Sequence, residues 1–266
     1  MKGEKISVLT RDPWDALQKF TEARIALGRC GSSLPLKESL KFKLAHAKAR
    51  DAVHQPVQME VVAEQLASQG IDTLQLVSSV KDREEYLTRP DKGRCLGTAS
   101  KKVLKNQPKG YDLGLIISDG LSAPAIHQSA VGVACGFMEI LKTTSLSVAP
   151  VSLVRYGRVA IGDEIGEILG VQLTVVLIGE RPGLSSPNSL GAYLTYAPSP
   201  GITDESRNCI SNIRPGGMAV AEAIRKIAYL SERALVQKMT GVGLKDKMIE
   251  GYLPMENLVE CRNPWP

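Results

Sequence analysis

Four short stretches of this chain gather groups capable of chemistry, and each lies close behind an apolar run. Ser118, Asp119, Gly120, Leu121 and Ser122 set a carboxylate and two hydroxyls around one glycine. Such a turn either caps the helix that follows or offers backbone amides and hydroxyls to an anionic or polar ligand. Between Val154 and Val159, the run Arg155, Tyr156, Gly157, Arg158 puts two guanidinium groups and a phenol beside a glycine that lets backbone approach closely. Arginine forks bind oxyanions bidentately, and Asp163, Glu164 and Glu167 are alternative partners. Gly179, Glu180, Arg181, Pro182 and Gly183 leave a carboxylate at the end of the most convincing buried strand. It needs donors from a ligand or an ion pair with Arg181 or Arg158. The fourth stretch is Arg207, Asn208, Cys209, Ile210, Ser211 and Asn212, followed by Gly216 and Gly217. Cys209 there is expected to be a small buried thiol lining a pocket.

None of these stretches amounts to a catalytic set. The histidines His46, His54 and His127 carry no Cys/His signature, and the sequence has no Gly-x-Ser-x-Gly elbow. The Gly-x-Gly-x-x-Gly turn of dinucleotide binders, the Gly-x-x-x-x-Gly-Lys-Ser/Thr loop and the His/Glu metal motif are missing too. The chain therefore reads as a binding subunit with no catalytic and no metal-ligating residue assigned. Two rival readings remain: a stand-alone Rossmann-type nucleotide-binding enzyme, and a purely structural partner subunit.

The elements that must position these loops fall into two regions. Residues 1–70 read as helical. Asp12 before Pro13 is a helix start signal, and Trp14, Leu17, Phe20 and Leu27 mark an apolar face ending near Gly28. Leu36, Leu40, Leu44 and Ala47 recur at helical spacing with lysines between them, which predicts a second helix with a buried stripe and a wet basic side. Residues 71–266 alternate apolar strands (74–80, 113–118, 148–154, 173–178, 192–196) with helices (92–105, 122–142, 162–169, 217–239). That rhythm predicts an α/β domain, a Rossmann-like, mostly parallel sheet flanked by helices. In such sheets ligands bind beyond the carboxyl ends of the strands, where the four stretches lie.

With 266 residues, 43% of them hydrophobic, the chain can bury a core, and its apolar runs are too short to span a bilayer. A soluble, cytoplasmic protein is expected, since residues 1–5 do not lead into an apolar signal segment. Five scattered cysteines suggest free thiols. Much of the formal charge of +5 comes from Arg29, Lys37, Lys41, Lys43, Lys48 and Arg50, which face only Glu38 and Asp51. Without aromatic interleaving this stretch predicts a solvated helix face or a subunit contact and not a nucleic-acid site. The last stretch, 241–266, ends in Asn263, Pro264, Trp265 and Pro266, and its Trp is expected to rest on the chain's own surface.

Six strings resemble those of one known family, in that family's order. They are Tyr-Leu-Thr-Arg-Pro-Asp (86–91), Ile-Ser-Asp-Gly-Leu-Ser (117–122), Val-Arg-Tyr-Gly-Arg-Val (154–159), Ile-Gly-Glu-Ile-Leu-Gly (165–170), Gly-Glu-Arg-Pro-Gly-Leu (179–184) and Cys-Ile-Ser-Asn-Ile (209–213). The family is the small, or light, subunit of ethanolamine ammonia-lyase. The resemblance, which runs from about Asp12 to Gly241, implies a share in an adenosylcobalamin-dependent radical enzyme that turns ethanolamine into acetaldehyde and ammonia. The substrate site would belong to a large subunit, and the coenzyme would sit between the two chains. It implies that Val159, Glu180 and Cys209 contact the corrinoid, with Glu180 accepting hydrogen bonds from its side-chain amides. The isolated chain is expected to be inactive. The absence of an Asp-x-His-x-x-Gly string agrees with a family that keeps the cobalamin's own base on cobalt. Some relatives carry a longer amino-terminal extension associated with a bacterial microcompartment, a location the resemblance leaves open; only residues 1–11 precede the first predicted helix here, which weighs against it.

Overall fold

Leu113–Ser118 and Leu173–Gly179 are buried at every position, the pattern of strands covered on both faces. They are neighbours at the centre of a six-stranded sheet. In the computed structural model, which describes residues 8–249, 251–252 and 254, the strands are β1 (Thr73–Val77), β2 (Leu113–Ser118), β3 (Val151–Arg155), β4 (Leu173–Gly179), β5 (Leu190–Tyr196) and β6 (Asn208–Ile213). Their spatial order is β1-β3-β2-β4-β5-β6. The first four run parallel, whereas β5 and β6 add on antiparallel, so the sheet is mixed.

The helices are α1 (Leu36–His54), α2 (Met59–Ala67), α3 (Arg83–Thr88), α4 (Thr98–Lys105), α5 (Ala123–Ala125), α6 (Val131–Lys142), α7 (Ile161–Leu169) and α8 (Val220–Gln237). A π-helical turn, Ile126–Ala130, joins α5 to α6. Side chains alternate across the strands and split the core in two. Leu113, Leu115 and Ile117 of β2, with Leu173, Val175 and Leu177 of β4, pack beneath α2, α6 and α8. Ile116, Val176 and Ile178 face the other way, toward α4 and α7. The result is a three-layer α/β arrangement. No described helix is long and apolar enough to cross a membrane.

The amino-terminal region departs from the sequence expectation. The predicted helix over 12–28 is reduced to a 3-10 turn, Asp15–Phe20, none of whose residues is buried. Asp12 Oδ1 accepts from the Trp14 amide at 2.9 Å, but the turn begins only after Trp14, which stands at its N-cap without a side-chain cap. A short helix whose apolar face meets no partner is marginal in water, and this one does not propagate. The segment instead folds back as an arm, closed by paired hydrogen bonds between Thr10 and Arg29. The stripe along α1 is likewise not buried: Leu36 is 72% exposed, and Leu40 and Leu44 lie open beside it. Beyond this region, 92–105 divides into a 3-10 turn, Lys92–Arg94, and α4, while α2, α3 and β6 are elements that the pattern did not predict. The segment 241–266 is described only in part, and Cys261, Asn263, Pro264, Trp265 and Pro266 lie outside the described residues.

Candidate functional site

Adjacent parallel strands whose following helices pack on opposite faces leave a crevice between their departing loops. β2 and β3 are such a pair. After β2 the chain turns to α5 and α6 on one face, and after β3 it turns to α7 on the other. The crevice is an open cleft of about 450 Å³ lined by Gly120, Leu121, Arg158, Val159, Glu180 and Ser211, among others. Three of the four chemically suggestive stretches thus supply its walls, and the fourth contributes Ser211 and Asn212.

The β3–α7 loop is held in an uncommon conformation. Tyr156 has φ +59°, the left-handed region that non-glycine residues seldom adopt. Buried Tyr86 donates its hydroxyl to the Gly157 carbonyl at 3.0 Å. Arg158 lies over the Tyr86 ring at 4.1 Å and donates to the Tyr86 carbonyl at 2.7 Å, so this guanidinium does not pair with α7, the alternative its spacing left open. Arg155 pairs with Glu60. Burial, reinforced by Asp119, drives the Tyr86 hydroxyl far above the usual phenol range and keeps it a donor.

Beneath this loop sits Asp119, buried, with the Arg83 guanidinium 3.7 Å away. Burial raises its pKa to about 6, against the pull of Arg83 and of the backbone amides of Tyr156, Gly120 and Gly157. A carboxyl raised in the folded state binds protons there that the unfolded chain has already lost. Its contribution to stability is therefore greatest at low pH and falls as pH rises from about 4 to about 6. Asp119→Asn does not titrate, so the stability of the variant relative to the parent should improve between about pH 4.5 and about pH 7. Urea denaturation at the two pH values measures this, and a pH-independent difference would show that Asp119 does not titrate as its burial implies. Ser122 both caps α5, accepting from the Ala125 amide, and donates to the Pro187 carbonyl at 2.6 Å.

Glu180 pairs with neither Arg181 nor Arg158. Its carboxylate accepts from the Ser189 hydroxyl, from the Ser211 hydroxyl at 2.6 Å and from the Asn212 amide at 3.2 Å. Two carboxylate oxygens offer about four acceptor directions, so roughly one is left for a further donor. The Asn212 amide points there because β6 carries a bulge: Leu190 and Ala192 of β5 register with Ile213 and Ile210 of β6, one residue too many on the second strand. Asn212 takes up the excess at φ +63°.

Val159 and Glu180 therefore meet in one cleft. Cys209 lies beside it, on the adjoining surface lined also by Ser211 and Lys226. The expected buried thiol is an exposed residue, because β6 is the edge strand and only one of its faces is covered. Its sulfur is partly desolvated and so raised in pKa, while hydrogen-bonded by Tyr193 across the strand pair. Tyr86, Ser189, Tyr193 and Asn212 also line the cleft. Tyr86 opens the first of the six family-like strings and Asn212 lies in the last, whereas Ser189 and Tyr193 owe their place to strand register, which carried no sequence signal. Among the described residues no cluster of His, Cys, Asp and Glu forms a metal site.

Residues 11–245 match the family model described as ethanolamine ammonia-lyase light chain (EutC). The chain is 49% identical over 244 residues to the ethanolamine ammonia-lyase small subunit of Ralstonia nicotianae, covering 90% of each protein. It is 48% identical over 245 residues to that of Azotobacter vinelandii, with 91% of each covered, and 47% identical over 250 residues to that of Pseudomonas putida, with 92% of each covered. A match of this length and identity leaves one assignment: the chain belongs to the ethanolamine ammonia-lyase light-chain family.

Proposed function

We propose that this chain is the small subunit of an adenosylcobalamin-dependent ethanolamine ammonia-lyase and holds one edge of the coenzyme against a large catalytic subunit. The observation that carries this reading is the meeting of Val159 and Glu180 in a single switch-point cleft. The lining suits a ligand rimmed with amides: Glu180 accepts, Arg181 can donate, and the Ser189 and Ser211 hydroxyls, whose protons go to Glu180, have lone pairs left to accept. A corrinoid is larger than this cleft, so only part of it rests here and the remainder needs another wall. When bound, adenosylcobalamin supplies the radical chemistry that converts ethanolamine into acetaldehyde and ammonia. This chain's residues bind and orient. Val159 offers an apolar contact on the β3–α7 loop, Glu180 an acceptor with a direction left open, and Cys209 a small side chain at the margin. We read the fold as a Rossmann-like variant whose order differs from 3-2-1-4-5-6 but whose ligand crevice obeys the same rule.

The missing wall also has a place to dock. Trp14, Phe20, Leu36, Leu40 and Leu44 form apolar ground along the arm and α1. Exposed apolar groups in such numbers mark an interaction site. Lys37, Lys41, Lys43, Lys48 and Arg50 crowd the same helix, so a second copy of this face would meet like charge, and the large subunit is the better occupant. Co-expression of the two subunits tests the whole reading. The complex should bind adenosylcobalamin with a shifted absorption spectrum, and this chain alone should bind it weakly or not at all. Deaminase activity from the isolated chain would overturn the assignment.

A further inference from the structure

The arm and the coenzyme cleft are joined by a short polar chain. Arg214, only 11% exposed at its side chain, sits just past the end of β6. Its Nε donates to Asn212 Oδ1 at 2.7 Å, its Nη1 to the Pro215 carbonyl at 3.1 Å, and its Nη2 reaches Glu22 Oε2 at 3.4 Å. Asn212 in turn gives its amide to Glu180, and the Met218 amide donates to its carbonyl at 2.8 Å. Glu22 belongs to the arm, whose Arg24 also donates to the Leu184 carbonyl in the loop after Glu180. A non-glycine residue at φ +63° persists only where its surroundings over-determine it, and the Arg214 fork is the side-chain contact that fixes the Asn212 carboxamide.

We propose that Arg214 is a positioning residue for the coenzyme site. It locks Asn212 in the left-handed conformation, thereby aims the amide that orients the Glu180 carboxylate, and ties that setting to the arm through Glu22. The proposal rests on the role assigned to Glu180 above. It assigns Arg214 no contact with the coenzyme.

Titrating the two-subunit complex with adenosylcobalamin by absorbance, in a double-mutant cycle, tests it. Arg214→Met should weaken coenzyme binding about tenfold when Glu180 is intact, and by less than about twofold in a Glu180→Gln background. Arg214→Lys, which keeps the charge but not the fork, should behave like Arg214→Met and guards against a folding defect in the first variant. An unchanged affinity in both Arg214 variants overturns the proposal. So does an equal loss in both backgrounds, the result of a merely structural role. If Glu180→Gln alone leaves affinity unchanged, the reading of Glu180 fails and takes this inference with it; a loss there with none for Arg214 refutes the inference alone.

Discussion

Replacing Arg207 with methionine should destabilise the fold by about 3–5 kcal/mol, the usual cost of leaving one member of a buried ion pair without its partner. The pair is Arg207 with Asp163, and both side chains are 2% exposed. Its geometry is a two-pronged fork: Nη1 to Oδ1 at 2.6 Å and Nη2 to Oδ2 at 2.7 Å. The remaining donors reach Thr195 Oγ1 and the Ile202 carbonyl, both at 2.9 Å, and Nε donates to the exposed Asp204 Oδ1 at 3.3 Å. Asp163 lies in the first turn of α7, and Arg207 immediately precedes β6, so the fork fastens the helix behind the β3–α7 loop to the antiparallel edge of the sheet. Methionine fills similar volume but leaves a carboxylate buried and uncompensated. Thermal unfolding should shift downward by on the order of 10 °C for a chain of this size. The double variant Asp163→Asn, Arg207→Met should lose less than the sum of the single changes, because no lone charge is left behind. A loss under about 1 kcal/mol, the range of an exposed pair, would show that the fork is not maintained in solution.

Gly120→Ala should remove stability and, on the function proposed above, coenzyme binding. Gly120 has φ +60°, and a Cβ built there would stand 2.2 Å from the Gly179 carbonyl oxygen and 2.8 Å from the Gly179 nitrogen. Neither atom can swing aside as a side-chain tip can. The β2 loop must retreat from the end of β4, which separates Gly120 and Leu121 from Glu180 across the floor of the cleft. Left-handed backbone costs an L-residue about 1–2 kcal/mol, and overpacking adds about 1–3. A total of roughly 2–5 kcal/mol follows, with coenzyme affinity of the complex falling at least about tenfold. Gly110→Ala is the matched control. It shares the positive φ, at +84°, but a Cβ added there would have no atom within 4 Å. Only the conformational cost of about 1–2 kcal/mol should therefore appear, and binding should not change. Equal losses in the two variants, or undiminished binding by Gly120→Ala, would show that the close contact with β4 does not shape the cleft.

The central strands were legible because a strand buried on both faces must be largely apolar, and 113–118 and 173–178 are, Ser118 and Thr174 apart. The edge strand β6 was not: Asn208, Cys209, Ser211 and Asn212 alternate imperfectly around a bulge, and a polar edge reads like a loop. The arm and α1 misled for a different reason. Apolar spacing reports which residues want burial, not whether this chain provides the surface; Trp14, Phe20 and Leu36 obey helical spacing and remain exposed.

By itself the sequence determined the α/β class, the family resemblance and the polar loops that line the cleft, because residue type and periodicity are local properties. Only the tertiary structure decided that Val159 and Glu180 share one cleft while Cys209 stands at its margin. It also decided that Glu180 is held by Ser189, Ser211 and Asn212 and not by an arginine. Those outcomes depend on strand order and on one bulge in register. A one-residue offset between β5 and β6 turns the Asn212 amide onto a carboxylate 32 positions earlier, at Glu180.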